Sequence, residues 1–203
     1  MIKVLFICHG NICRSPMAEF VMKDMVRRAG LAEEFYIESA ATSTEEIWNG
    51  IGNPVYPPAR EVLAQHGISC EGKRARQMKR EDYERFDMLI GMDERNIRNM
   101  KRICGHGNDE KIWKMMTFAR QQEGSSGAQN RPSSGISGDV SSADPCTGRP
   151  GGPDLSRLTD AMAFLRKEPA PDVADPWYSG DFQRTWDDVY AACQGLLQIL
   201  TGK

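Results

Sequence analysis

The chain has 203 residues, 40% hydrophobic and 27% charged, enough to bury one good α/β core. Its 26 lysines and arginines nearly balance 28 aspartates and glutamates, and the formal charge of −2 argues against nucleic acid or an anionic membrane surface as a partner. No apolar run approaches a membrane span, and Met1-Ile2-Lys3 leads into a strand pattern rather than a signal peptide. The cysteines at 8, 13, 70, 104, 146 and 193 form neither a disulfide framework nor a paired Cys-x-x-Cys zinc site, so reduced thiols in a cytoplasmic protein are expected.

The first predicted element is a strand, Ile2-Lys3-Val4-Leu5-Phe6-Ile7, whose β-branched and aromatic residues suit a buried parallel sheet. It runs directly into Cys8-His9-Gly10-Asn11-Ile12-Cys13-Arg14-Ser15-Pro16. Ser15 and Pro16 read as an N-cap and first-turn pair, which places the cysteine loop on a helix N-terminus. Backbone N–H groups left free there, together with the helix dipole, favour an anion. Gly10 lets the chain curl so that several of them converge, a nest that fits phosphate or another tetrahedral oxyanion. Cys8, beside that terminus and a guanidinium, is favoured as a thiolate and hence as a nucleophile. Arg14 supplies a planar fork for two phosphoryl oxygens, and Ser15 can offer its hydroxyl to the sulfur.

The Cys, five residues, Arg-Ser spacing after a first strand, in the form CHGNICRSPMAEF, resembles the low-molecular-weight protein tyrosine phosphatases. The N-terminal position, Asn11, Cys13 and Ser15-Pro16 make the match specific. The resemblance implies Cys8 and Arg14 as catalytic residues and His9, Gly10, Asn11, Ile12, Cys13, Arg14 and Ser15 as the phosphate-binding loop. It implies a phosphotyrosine-containing protein as substrate, inorganic phosphate or another oxyanion in the same loop, and no metal or cofactor. It further implies a reversible Cys8–Cys13 disulfide that shields the nucleophile from peroxide, with plain loop packing as the other reading of Cys13.

Farther along, Met17–Arg28 has helical spacing of apolar residues and a basic end before Gly30. Phe35–Glu38 reads as a second strand that ends in Ser39-Ala40-Ala41-Thr42-Ser43. By the resemblance, Asn11, Ser15, Ser39 and His66 support the loop from behind, His66 through a hydrogen-bond network that reaches Asn11. A histidine favoured at a helix end by the dipole is the alternative for His66. Trp48 is implied as a wall of the substrate cleft, with a half-buried loop anchor as the alternative. Pro57-Pro58 opens a helix through His66, stopped by Gly67. The basic run Lys73–Arg80 lacks interleaved aromatics and reads as a solvated face rather than a nucleic-acid site. A short helix at Glu81–Phe86, a buried strand at Asp87–Met92, a helix from Asp93-Glu94 to about Cys104 and a strand at Lys111–Met116 follow. Together these predict an α/β fold, a doubly wound four-stranded parallel sheet flanked by helices, with its site at the carboxyl ends of the strands.

The expectation is one phosphatase domain over 1–203, interrupted by a Gly/Ser/Pro-rich, flexible insertion at 121–170 with a helix at 154–167. A regulatory or partner-binding flap and a neutral surface insertion are both open. Beyond it, Asp175-Pro176-Trp177-Tyr178 resembles the family's general-acid loop. Asp175 would protonate the departing phenolate and then take a proton from water, while Trp177 and Tyr178 line a cleft deep enough for an aryl phosphate. Asp144-Pro145 competes for the role from low-complexity sequence. Phe182 to Leu200 repeats apolar residues at helical spacing and predicts a terminal helix over the sheet.

Rival functions on this pattern are a protein-arginine phosphatase, whose relatives carry threonine where Ile12 stands, and an arsenate reductase of the same fold. The second would need further cysteines as a relay, and Cys70 and Cys104 are spaced too far apart for a local redox pair. A catalytically silent phosphotyrosine-binding module is disfavoured by the presence of both a nucleophile and an acid.

Overall fold

The computed structural model describes residues 1–105, 107, 109–119, 152–165 and 169–202. Its centre is strand β1 (Ile2–Cys8), in which Val4, Leu5, Phe6 and Ile7 are wholly buried. Side chains alternate across a strand. Val4, Phe6 and Cys8 accordingly join one core layer, and Leu5 and Ile7 the other. Burial on both faces is what a strand covered by helices on each side requires.

Helix α1 (Arg14–Arg28) buries Met17, Ala18, Val21, Met22 and Val26 in the first layer. It begins two residues earlier than the Ser15-Pro16 pair suggests. Cys13 is the N-cap, without a side-chain capping bond, and Ser15 lies in the first turn because its hydroxyl serves the loop behind it. Strand β2 (Phe35–Ala41) pairs in parallel with β1 along its whole length, Ile2 opposite Phe35 and Cys8 opposite Ala41. A two-stranded antiparallel ribbon follows, β3 (Ile47–Trp48) and β4 (Ile51–Gly52). Asn49 and Gly50 at its tip both have positive φ, the geometry that suits a two-residue hairpin turn. Helix α2 (Pro57–Gln65) opens on its prolines and ends at His66 and Gly67.

Helix α3 (Asp82–Arg85) leads to strand β5 (Met88–Gly91), helix α4 (Glu94–Cys104) and strand β6 (Ile112–Lys114). The last strand is shorter than the apolar run Lys111–Met116, because Met115–Thr117 turns into a 3-10 helix. The sheet order is β2-β1-β5-β6, all parallel. The chain leaves β1 for one neighbour and later returns on its other side, so a crevice opens beyond the carboxyl end of β1, where Cys8 stands.

Helix α5 (Ser156–Leu165) buries Leu158 and Leu165 in the first core layer, and its approach is tied by the Asp154 N–H to the Leu200 carbonyl. The short helix α6 (Pro176–Ser179) and the long α7 (Phe182–Thr201) complete the fold, with Trp186, Val189, Cys193, Leu196 and Leu200 of α7 in the same layer as α1. The Gly/Ser/Pro-rich expectation for the stretch from 121 falls largely outside the described residues, as does Asp144-Pro145. Among the described residues no helix is long and apolar enough to cross a membrane.

Candidate active site

The loop after β1 closes on the sulfur of Cys8, which is 3% exposed. The Asn11 N–H donates to Sγ at 3.2 Å, and the Ser15 hydroxyl stands 3.0 Å from it. Asn11 makes the sharp turn: its φ is 59°, in the left-handed region that asparagine tolerates better than most residues. Gly10, expected to provide the curl, is not left-handed. Its missing side chain instead admits Glu46, whose Cγ would lie 2.9 Å from a Cβ there.

The directions of the bonds behind the loop are forced. The Arg76 N–H donates to Asn11 Oδ1 at 3.1 Å, so the carboxamide must present its NH2 elsewhere. Nδ2 donates to Ser39 Oγ at 2.8 Å and to Ser15 Oγ at 2.9 Å. The Ser39 hydroxyl donates a hydrogen bond to Glu19 Oε2 at 2.6 Å, since an ionised carboxylate only accepts. The Ser15 hydroxyl, already an acceptor from Asn11, has its hydrogen left for the sulfur, which is nearer than the Ala40 carbonyl at 3.4 Å. A buried chain of donors thus runs from Arg76 through Asn11 and Ser15 toward Cys8, while a second branch from Asn11 through Ser39 ends on the Glu19 carboxylate.

Glu19 is 3% exposed and would be costly alone. Lys73 Nζ meets its Oε2 at 2.7 Å and also donates to the Ser39 carbonyl at 3.1 Å, while Lys23 takes the other oxygen. This corrects two expectations. The basic run is not simply a solvated face, because Lys73 reaches inward and Arg76 binds Asp82 and Glu38. His66 does not belong to the network at Asn11: its ring stacks flat on Trp186, centroids 3.8 Å apart. The signal for Glu19 was in the sequence, a carboxylate on the apolar face of α1 that needs a cation to accompany it.

Arg14, 5% exposed, lies across the mouth of the loop. Nη1 meets Asp93 Oδ2 and Nη2 meets Asp175 Oδ2, each at 2.7 Å. Burial works against its charge, but the negative charges of Cys8, Asp175 and Asp93 outweigh that cost and hold the guanidinium above its ordinary value. Asp93, the N-cap of α4, accepts from the Asn96 N–H with its other oxygen. Asp175 is the N-cap of α6 and accepts from the Trp177 N–H at 3.1 Å. Sequence reading did not single out Asp93 for this contact, although the acid at a helix start was visible.

These groups share one cleft of about 270 Å³ with His9, Gly10, Ile12, Cys13, Glu45, Glu46, Arg95, Asn96, Trp177 and Tyr178. His9 Nε2 bonds Glu45 at 2.8 Å at its edge. Trp177 and Tyr178 form an exposed aromatic rim, and Trp177 leans on Tyr56 with centroids 5.9 Å apart. Trp48, expected as a cleft wall, is 72% exposed on the ribbon and does not line this cleft. Burial, with the neighbouring charge of Cys8, pushes the Cys13 thiol up to about 12. Among the described cysteines Cys13 alone shares the cleft with Cys8, and Cys70 and Cys104 are buried elsewhere. Among the described residues no His, Cys, Asp and Glu side chains are grouped to hold a metal ion.

The low molecular weight phosphotyrosine protein phosphatase family matches this chain over residues 3–135, a span that stops short of Asp175. The low molecular weight protein-tyrosine-phosphatase YfkJ of Bacillus subtilis is 37% identical over 197 residues, 97% of this chain and 94% of that protein. The YfkJ crystal structure covers 97% of this chain and 92% of its own with a TM-score of 0.67 at 28% identity. SP-PTP, a low molecular weight protein tyrosine phosphatase from Streptococcus pyogenes, covers 98% and 92% with a TM-score of 0.64 at 31% identity. By the match over residues 3–135 and the identity to YfkJ along nearly the whole sequence, the chain belongs to the low molecular weight phosphotyrosine protein phosphatase family.

Proposed function

We propose that this chain hydrolyses aryl phosphomonoesters, phosphotyrosine in proteins above all, through a cysteinyl phosphate formed on Cys8. The observation that carries the reading is the meeting of Cys8, Arg14 and Asp175 in one cleft, although Asp175 is far from the loop in sequence. Cys8 sits at the floor, its sulfur within hydrogen-bond reach of the Asn11 N–H and the Ser15 hydroxyl. A phosphoryl group entering the loop competes with Asp175 for the Arg14 fork, and Asp175 is then free to turn toward the ester oxygen.

In the first step the sulfur forms a bond to phosphorus while the phosphorus–aryl oxygen bond breaks, and Asp175 gives its proton to the departing oxygen. In the second, water attacks phosphorus and returns a proton to Asp175. The sulfur–phosphorus bond breaks and inorganic phosphate leaves. Arg14 and the loop amides stabilise the equatorial oxygens in both transition states. The depth of Cys8 below the exposed Trp177 and Tyr178 favours a flat aryl ester over the shorter serine ester.

Rapid quenching during p-nitrophenyl phosphate turnover, followed by mass spectrometry, is expected to find phosphate on the peptide carrying Cys8. The Cys8→Ser protein is expected to lose the adduct and all measurable turnover while still binding phosphate. Undiminished turnover in that variant would overturn the proposal, and faster release of phosphate from phosphoarginine than from phosphotyrosine peptides would move it to the arginine class.

A further inference from the structure

The chain leading into Asp175 is fastened at two points, each by residues that do not line the cleft. On the near side, the Ala174 N–H donates to Asp188 Oδ2 and the Thr185 hydroxyl donates to the Ala174 carbonyl, each at 2.9 Å, so α7 holds the residue next to Asp175. On the far side stands Lys114, the last residue of β6, whose side chain is 18% exposed. Its Nζ meets Asp172 Oδ1 at 2.6 Å and donates to the Ala170 carbonyl at 2.7 Å. The same Asp172 oxygen accepts from the Glu94 N–H at the start of α4 at 3.1 Å, and the Val173 N–H donates to the Met92 carbonyl at 2.9 Å.

These contacts converge on a short stretch of chain. Lys114 lies opposite Gly91 in the sheet, and Gly91 runs into Met92 and Asp93. Asp93 holds Arg14, Met92 holds Val173, and Glu94 holds Asp172. Asp93, which aims Arg14, and Met92 and Glu94, which anchor residues 172–173, therefore belong to one short turn at the carboxyl end of β5, with the Lys114 ammonium closing it from the next strand. An ammonium offers three donors on a single atom and can hold a carboxylate and a carbonyl of the same loop together.

We propose that Lys114 is a positioning residue for proton transfer: by fixing residues 170–172 to the turn that bears Asp93, it sets the reach of the Asp175 carboxyl toward the leaving oxygen. The proposal rests on the reading of Asp175 as the general acid. A loop freed at this end still folds beside α7 but holds its carboxyl less often in line, and small misplacements of a catalytic group are costly.

The test is the dependence of kcat/KM on the basicity of the leaving phenol, measured over a series of aryl phosphates at one pH. In Lys114→Met, phenyl phosphate is expected to lose about 10- to 100-fold, and p-nitrophenyl phosphate, whose leaving group needs little help, less than about threefold. Lys114→Arg is expected to restore most of the phenyl phosphate rate. Placed in an Asp175→Asn background, Lys114→Met is expected to leave the slope where Asp175→Asn alone puts it. Asp172→Asn, which removes the charge that Lys114 meets while retaining an oxygen for the Glu94 N–H, reads the same slope should Lys114→Met fold poorly. Slopes parallel to the parent in Lys114→Met and Asp172→Asn, with a steepened slope in Asp175→Asn, would overturn the role of Lys114 alone. An unchanged slope in Asp175→Asn would instead remove the general-acid reading beneath it.

Discussion

Lys73 Nζ lies 2.7 Å from Glu19 Oε2, and this pair, 12% and 4% exposed, stands behind the chain of hydrogen bonds that ends on the Cys8 sulfur. The pair both neutralises a buried carboxylate and aims Ser39. Replacing Lys73 with methionine keeps the stem and removes the ammonium. Because Lys23 still reaches Glu19, the expected loss of stability is at the low end for a broken buried pair, about 3 kcal/mol. Urea denaturation measures it, and p-nitrophenyl phosphate kinetics are expected to show kcat falling while KM changes little, since the loop loosens where the sulfur is activated. A variant as stable and as fast as the parent would show that Glu19 needs no second cation.

His66 predicts the opposite pattern. It stacks on Trp186 rather than touching Asn11, so His66→Ala is expected to cost about 1 kcal/mol of stability and leave turnover within about twofold. A large fall in kcat with unchanged stability would place the histidine back in the network.

Asp93 caps α4 with one oxygen and holds Arg14 with the other. Asparagine caps helices about as well as aspartate, so Asp93→Asn separates the two roles. The broken pair with buried Arg14 is expected to cost about 3 kcal/mol, as at Lys73, while kcat/KM falls about tenfold or more as Arg14 loses half of its support. Asp93→Ala is expected to lose the cap as well, about 1 kcal/mol further. Differential scanning calorimetry beside steady-state kinetics distinguishes these outcomes.

Cys13 and Cys8 share the cleft but differ in chemistry. Burial first, then the charge of Cys8, pushes the Cys13 thiol from 9.0 up to about 12, so it stays protonated at neutral pH. Iodoacetamide is therefore expected to alkylate Cys8 and spare Cys13, as read by peptide mass spectrometry, and equal labelling would contradict the burial argument. The sign of the pH effect follows from the same shift. Below 9.0 both folded and unfolded chains keep this proton and nothing is lost, whereas between 9.0 and about 12 the unfolded chain gives it up first and stability declines. Cys13→Ala is expected to lessen the fall in stability between neutral pH and about pH 10.

Much of this was legible in the sequence because it is local. The strand into Cys8, the Arg14 fork, the prolines of α2 and the amphipathic α7 each declare themselves within a few residues. What stayed hidden depends on side chains brought together over long separations. Lys73 looks like one more charge in a basic run because only the fold shows that it faces Glu19, and His66 stands out in sequence because it ends a helix beside Gly67. Gly10 and Asn11 exchanged roles for a subtler reason: the tight turn fell on the residue whose side chain also anchors the network, so asparagine took the left-handed geometry and glycine was left to make room for Glu46. The ribbon at β3 and β4 was foreshadowed by Asn49-Gly50, a hairpin signal that two-residue strands are too short to reinforce.

The distance along the chain between Arg14 and Asp175 has a consequence for synthesis. At ordinary translation speeds the ribosome needs on the order of ten seconds to travel from one to the other. Throughout that interval the nascent polypeptide carries its sulfur and guanidinium without Asp175, and Ala174 finds its partners Asp188 and Thr185 only once α7 has emerged. The Arg14–Asp175 contact and the fastening of Ala174 beside it therefore form late, after the final helix is made.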